Sequence, residues 1–367
     1  MRIVCVAGAR PNFMKIKPVV DALDDQGAET LLVHTGQHFD AAMSDVFFDE
    51  LGIRPPDRHL GAGSGTHAET TARVLIGIEA LLDEWPADAV VVVGDVNSTV
   101  AAALAAAKAG CLVAHVEAGL RSRDWTMPEE VNRVVTDRLS DYLFSPSQDA
   151  VDNLHAEGYR DDQIHLVGNV MIDTLLANVE RARQRPILDE LGVHPSEYGL
   201  VTLHRPANVD DPQTLRLLID TLGEVSTDLP LVFPVHPRTR ARLAEMALAP
   251  GVRLTDPKGY LDFIALEASA RMVLTDSGGI QEETSALGVA CITLRENTER
   301  PITVELGTNV VVGRDPQRIN TEAQRVLRDG PKPARPIPGW DGRAGERIAE
   351  VLLGGGSPTG HLRPTDL

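Results

Sequence analysis

The segment Asp276-Ser277-Gly278-Gly279-Ile280-Gln281-Glu282-Glu283 runs out of an apolar strand, through two glycines, into a helix that carries two acids. The free N–H groups at a helix start, together with the Ser277 hydroxyl, suit a phosphate. Gly278 and Gly279 let a ligand come close to the backbone. An acid in the first helical turn can accept both hydroxyls of a ribose, as in dinucleotide folds. The plainer alternative makes Ser277 a helix cap and the glycines a tight turn. It leaves the second glycine and the acid pair without a purpose, so the segment points to a nucleotide.

A second set of polar residues comes after strands in the N-terminal half. Gly8-Ala9-Arg10-Pro11-Asn12, with Lys15 further on, opens a helix with two bases suited to an anion, or with bases that are merely solvated. It is not a G-x-G-x-x-G fingerprint, so nothing in it signals NAD. Asp95 closes the strand at 89–94, where a turn role accounts for it, and Asn97 or Ser98 can cap the next helix. Glu117 closes the strand at 112–116. A glutamate gains little structurally there, so beside His115 and Arg121 it suggests function. Glu129 and Glu130 come after Pro128 in a helical first turn, which the helix dipole already favours, without excluding that one of them reaches a site. Carboxylates crowded together raise one another's pKa and can act as acid and base.

His204-Arg205 after the strand at 200–203 and Arg300 in Thr298-Glu299-Arg300-Pro301 add positive charge, whereas His236 in Pro234-Val235-His236-Pro237 reads as a turn residue. Arg10, Lys15, His204, Arg205 and Arg300 thus supply the local charge that an anionic ligand demands. The demand is real, because the net charge is −18. That charge disfavours nucleic acid or an anionic membrane as partner.

Holding these residues requires strand ends, and the apolar runs supply them. Runs at 3–9, 30–35, 89–94, 112–117 and 142–145 alternate with helical patterns at 16–23, 68–85, 99–109 and 129–140. The rhythm continues at 163–168, 200–203, 231–235, 252–254, 272–275, 291–294 and 310–312. Strands apolar on both faces and alternating with helices make parallel, doubly wound sheets. A chain of 367 residues with this many strands exceeds one α/β core. The expected division is an N-terminal domain at 1–168, a C-terminal domain at 169–353 and a flexible tail at 354–367. The last helical pattern, 342–353, is free to pack on either domain. Cys5, Cys111 and Cys291 lie in apolar runs without metal-ligand spacing, as reduced buried thiols of a cytoplasmic protein. No apolar run reaches the length of a membrane span.

Taken in order, Gly8-Ala9-Arg10-Pro11, Gly94-Asp95, His115-Val116-Glu117-Ala118-Gly119-Leu120-Arg121, Pro128-Glu129-Glu130-Val131-Asn132-Arg133, the segment 276–283 and Thr298-Glu299-Arg300-Pro301 span nearly the whole chain. This series resembles the non-hydrolysing UDP-N-acetylglucosamine 2-epimerases. The resemblance implies two facing Rossmann-like domains of the glycosyltransferase-B type with a cleft between them. It further implies a homodimer, no NAD, no other cofactor and no required metal, and a place in polysaccharide biosynthesis. Asp95, Glu117 and Glu129 would be the catalytic carboxylates, with His204 meeting the diphosphate. Arg10, Lys15, Ser277, Gly278 and Gly279 would belong to the UDP-sugar site, with Glu283 on the ribose, Phe263 near the uracil and Arg300 on the far wall. The implied reaction eliminates UDP to form 2-acetamidoglucal and re-adds it, converting UDP-N-acetylglucosamine into UDP-N-acetylmannosamine. Three departures stand out: a short 121–128 segment, Thr202-Leu203-His204-Arg205-Pro206 around the histidine, and Phe39-Asp40 after Gln37-His38, which puts allosteric activation by a second UDP-sugar in doubt. A hydrolysing epimerase, a UDP-sugar glycosyltransferase and a non-catalytic UDP-sugar sensor are the rival readings.

Overall fold

The computed structural model describes residues 1–8, 10–36, 50–235, 237–244 and 246–354. The Arg10 side chain, Gln37-His38, Phe39-Asp40, His236 and the tail from 355 lie outside the described residues. The chain divides into two compact units, Met1–Thr174 with the stretch from Pro338 onward, and Leu175–Ile337.

The first unit is built on β1 Arg2–Ala7, β2 Glu29–His34, β3 Arg58–His59, β4 Ala89–Val93, β5 Leu112–Val116, β6 Tyr142–Ser145 and β7 Ile164–Leu166. They form one sheet in the order β3-β2-β1-β4-β5-β6-β7, with every pair parallel. The connecting helices are α1 Arg10–Asp25, α2 His67–Glu84, α3 Asn97–Lys108, α4 Pro128–Leu139 and α5 Gln148–Ala156, and α6 Val170–Arg183 comes after β7. Helices cover both faces, so Ile3, Val4, Cys5, Val90, Val91 and Val92 are wholly buried and the strands show no polar alternation. A Thr66–Glu69 capping box starts α2. Small residues on α3, Ala101 to Ala103 with Ala105 and Ala106, join the core between α2 and the sheet. The two-residue strand β3 is polar and exposed, which is why no apolar run announces it.

The second unit repeats the plan with β8 Gly199–Thr202, β9 Leu231–Pro234, β10 Val252–Thr255, β11 Met272–Thr275, β12 Ala290–Thr293 and β13 Asn309–Val311. Their order is β10-β9-β8-β11-β12-β13, again all parallel. The helices after α6 are α7 Ile187–Leu191, α8 Pro206–Val209, α9 Pro212–Val225, α10 Pro237–Leu243, α11 Tyr260–Ser269, α12 Gly278–Leu287, α13 Pro301–Glu305, α14 Pro316–Asp329 and α15 Ala344–Leu353. Among the described residues no helix is long and apolar enough to cross a membrane.

Strand order reverses between β1 and β4 in one sheet and between β8 and β11 in the other. At such a switch the connections leave on opposite faces and open a crevice beyond the carboxyl ends of the strands. Asp95, His204 and Ser277 come two residues after β4, β8 and β11, and Glu117 directly after the neighbouring β5.

The last helix returns to the first unit and packs on α1. Gly345 N donates to Asp173 Oδ2 at 2.8 Å, and Trp340 Nε1 donates to Pro146 O at 2.9 Å. The Thr174 hydroxyl donates to Met14 O at 2.6 Å, so the start of α6 also belongs to this unit. The division thus falls inside α6, later than Gly168-Asn169, and residues 338–353 go with the N-terminal strands. Gly168 lies where the returning segment crosses, at φ +92°, and a Cβ built there sits 1.9 Å from Gly339 O. Gly168→Ala is therefore expected to destabilise the first unit by roughly 3 kcal/mol, read as a Tm drop of about 6–12 °C in a thermal melt.

Candidate active site

Glu117 stands immediately beyond β5 in the left-handed region, at φ 73°, a conformation rare for a residue with a side chain. Its N–H and that of Ala118 both donate to Phe144 O at 3.1 Å, which pins the turn against β6. The residue is 5% exposed. One carboxylate oxygen forms an ion pair with Lys15 Nζ from α1, and the other, Oε1, has no partner among the described residues. Lys15, expected at the ligand phosphates, is thus the counter-ion of this carboxylate. Asn12, on the same helix, donates to Val93 O at 3.1 Å and fixes α1 over the end of β4.

Asp95 pairs with Arg133 of α4 at 2.5 Å, and its side chain is 29% exposed. The cap position of α3 is Val96, which makes no side-chain cap. Nor do Asn97 and Ser98 cap that helix. Asn97 meets His67 and Asn132, and Ser98 meets Thr35 at 2.8 Å. Asn132 also donates to Asp95 O at 2.9 Å. The crowding of carboxylates expected from the sequence is therefore resolved by cations, Glu117 and Asp95 each having its own.

The two acids of the α4 first turn separate cleanly. Glu130 is buried and accepts from Ser122 N at 3.0 Å, Arg123 N at 2.8 Å and Arg133. Burial pushes its carboxyl up, but these donors outweigh burial and hold it below the usual carboxylate range. Glu129 is half-buried, and its carboxylate has no partner among the described residues, which leaves it available for chemistry. His115 and Arg121 are structural. Both bind Asp137, at 2.6 and 2.7 Å, and His115 Nε2 also meets Gly94 O at 2.8 Å.

In the second unit, Asp276 organises the ends of β8 and β11. Wholly buried, it accepts from His204 N and Arg205 N at 3.1 and 3.0 Å and from Asn208 at 3.1 Å, and its Oδ1 lies 3.1 Å from His204 Nδ1. Burial raises its pKa, and these partners, His204 first, bring it below the ordinary value. His204 keeps its ring anchored by one nitrogen while 56% of the side chain stays exposed. The sequence expectation passed over Asp276 as the mere start of a motif. Ser277 occupies the cap position of α12, yet its hydroxyl makes no capping bond, so it remains available to an anion beside the helix N–H groups.

Two expectations change here. No acid lies in the first turn of α12; Glu283 comes in the second turn and is 4% exposed. Gly278 also lies under the ion-pair cluster: a Cβ there would sit 2.8 Å from the side-chain tips Arg300 Nη1 and Glu299 Oε1. Arg300, expected on a ligand wall, is buried between Glu282 at 2.9 Å and Glu299 at 2.8 Å. Glu299 also meets Arg295 at 2.7 Å and Arg205 at 3.2 Å. Gly279 comes after Gly278 in the first turn of α12, and Phe263 is half-buried on α11.

The family model described as UDP-N-acetylglucosamine 2-epimerase matches residues 21–353. A UDP-N-acetylglucosamine 2-epimerase of Methanocaldococcus jannaschii is 41% identical over 367 residues, covering 97% of this chain and 100% of its own. A UDP-2,3-diacetamido-2,3-dideoxy-D-glucuronate 2-epimerase of Pseudomonas aeruginosa is 42% identical over 357 residues, covering 96% and 99%. A crystal structure of the M. jannaschii UDP-GlcNAc 2-epimerase in complex with UDP-GlcNAc and UDP matches with a TM-score of 0.88 at 40% identity, covering 97% of this chain and 100% of that one. Two parallel-sheet units of this kind are the glycosyltransferase-B-type fold, here in its epimerase form. The chain belongs to the UDP-N-acetylglucosamine 2-epimerase family.

The buried cluster around Glu299 supports a stability test. Burial alone would raise the Glu299 carboxyl, but Arg300, Arg295 and Arg205 hold it well below the usual carboxylate range. A depressed folded-state pKa means that its stabilisation is present above the ordinary value of about 4.3 and is lost as the pH falls below it. Glu299→Gln leaves buried guanidinium groups without their counter-ion. It is expected to cost roughly 3 kcal/mol at neutral pH in denaturant melts, with a smaller further loss on acidification than the wild type shows.

Proposed function

We propose that the protein interconverts UDP-N-acetylglucosamine and UDP-N-acetylmannosamine without net hydrolysis. The observation that carries this reading is Glu117, a buried carboxylate in strained backbone with one oxygen held by Lys15 and the other without a partner among the described residues. Strain and burial of this kind at a strand end serve chemistry better than folding. The C2 hydrogen of the sugar is not acidic by itself. Its removal becomes feasible when the C1–O bond to UDP breaks in the same elimination, which leaves 2-acetamidoglucal and UDP. Re-addition of a β-phosphate oxygen to C1, with a proton delivered to the opposite face of C2, gives the epimer. Two faces of one carbon need more than one acid or base, and Glu117, Asp95 and Glu129 are the groups assigned to them. Ser277, the N–H groups that start α12 and the anchored ring of His204 are assigned to the departing diphosphate. Glu283 is assigned to the ribose and Phe263 to the uracil.

The P. aeruginosa relative, at 42% identity, favours a second substrate, a UDP-sugar with an acetamido group at C3 and a carboxylate at C6. Both share the C2 chemistry, so competition between the two UDP-sugars for one preparation of enzyme ranks them by kcat/KM.

The test is proton and phosphorus NMR of UDP-N-acetylglucosamine with the enzyme in D2O. The expected outcome is UDP-N-acetylmannosamine carrying deuterium at C2, with little free UDP. Free UDP together with N-acetylmannosamine would place the protein with hydrolysing epimerases, and absence of exchange would overturn the assignment. Glu117→Gln is expected to lower kcat by about 10²–10⁴-fold while UDP affinity, measured by calorimetry, stays near that of the wild type.

A further inference from the structure

Asp95 and Glu117 sit on two separate turns, one after β4 and one after β5, and both turns pass through left-handed backbone. Gly94 has φ 68°, Glu117 φ 73° and Gly119 φ 85°. Backbone of this kind is kept by its surroundings. The Glu117 carboxylate lies over the other turn: a Cβ built on Gly94 would sit 3.6 Å from Glu117 Oε2 and 3.2 Å from Lys15 Nζ. A shift of either turn therefore moves one acid against the other. His115 holds the first turn. Gly94 is buried, its N–H donates to Val116 O at 3.1 Å, and its carbonyl lies 2.8 Å from His115 Nε2. A carbonyl only accepts, so Nε2 carries a hydrogen and donates it. The other ring nitrogen, Nδ1, lies 2.6 Å from Asp137 Oδ1. Asp137 holds the second turn: its Oδ2 accepts from Gly119 N at 3.1 Å and pairs with Arg121 at 2.7 Å. Two buried side chains thus join Gly94 O to Gly119 N, and with them the turn of Asp95 to the turn of Glu117. His115 interrupts an otherwise apolar strand, Leu112 to Val116. Another valine would serve packing, but it would leave the buried Gly94 carbonyl without this donor. The helix that carries Asp137, α4, also supplies Asn132 to the Asp95 carbonyl at 2.9 Å and Arg133 to its carboxylate at 2.5 Å. One helix therefore registers both acids.

We propose that His115 and Asp137 are positioning residues for the proton transfers at C2: acting through the backbone of the two turns, they keep Asp95 and Glu117 at one relative placement. This rests on the assignment of those two acids to the faces of C2. Loss of the His115 ring frees the Gly94 carbonyl and acts first on the turn of Asp95. Loss of the Asp137 charge acts first on the turn of Glu117, because it weakens the hold on Gly119 N and on Arg121. In either case the acids remain present but are aimed differently, and acid–base catalysis depends on reach before it depends on acidity.

The experiment compares wild type, His115→Leu, His115→Gln and Asp137→Asn. Calorimetry gives UDP affinity, and proton NMR in D2O gives turnover of UDP-N-acetylglucosamine and, at early conversion, the ratio of C2-deuterated starting sugar to C2-deuterated epimer. That ratio reports how the intermediate divides between its two faces, and it does not depend on how much of the enzyme is folded. His115→Leu is expected to lower kcat about 10²-fold, the scale of a misplacement near 1 Å, and to shift the ratio, while KM and UDP affinity stay near those of the wild type. His115→Gln, whose amide N–H reaches the place of Nε2 and can donate to Gly94 O, is expected to recover about tenfold of the lost kcat, the scale of one hydrogen bond, and to bring the ratio back toward the wild type. Asp137→Asn is expected to lower kcat and shift the ratio with KM unchanged, so the test stands on it and on His115→Gln even if the leucine variant does not fold. A wild-type ratio in every folded variant, or a loss confined to KM, would overturn the positioning role. Near-wild-type turnover in both Asp95→Asn and Glu117→Gln would instead remove the assignment of the acids on which the proposal stands.

Discussion

A carboxylate taken out of water must be given either a countercharge or a proton. That requirement organises both units. In the first, Glu117 has Lys15, Asp95 has Arg133, and Asp137 has both His115 and Arg121. In the second, Glu299 sits among three arginines and Asp276 is ringed by N–H donors and His204. Glu267 uses the other solution: burial, with Glu283 beside it, pushes its carboxyl well above the usual carboxylate range. A chain of net charge −18 can therefore bury this many acids, because each is met by a cation, by donors or by a proton within its own unit.

The two sheets have the same order of strands around their switch points, yet the side chains at those points differ in kind. The first unit places acids there, one of them on a backbone that only a rigid surround sustains. The second places a helix start, a hydroxyl and a half-exposed imidazole there. Topology supplies a crevice in each case, and the residues that end the strands decide what chemistry that crevice suits.

Much of this was legible in the sequence because parallel strands buried on both faces are written as unbroken apolar runs, and because the residues just after each run land at one edge of the sheet. Asp95, Glu117, His204 and Ser277 were reachable by that rule. The residues that escaped it depend on long side chains and on distant partners. Lys15 and Glu117 are separated by 102 positions, so nothing local said that the lysine serves the acid. Arg300 looked like a ligand for an anion and is held by buried acids. The choice of Glu129 over Glu130 had a local signal, since Glu130 and Arg133 stand three apart on one helix face. The second reason for Gly278, the arginine packed over it, exists only in three dimensions. Strand β3 was invisible because two polar residues make no pattern.

The return of α15 to α1 has a consequence for the order in which the protein is made. A ribosome releases β1 to β7 first, but the unit they form lacks a helix of its own until everything from Leu175 to Ile337 has been synthesised. The usual precedence of the N-terminal domain in cotranslational folding is thereby reversed at the final step. The second unit has all of its sequence in hand first and is then a loop closed by the first. Since closure entropy grows only slowly with loop length, the insertion adds little cost to the finished protein, while leaving α1 uncovered on the nascent chain until the last turn is translated.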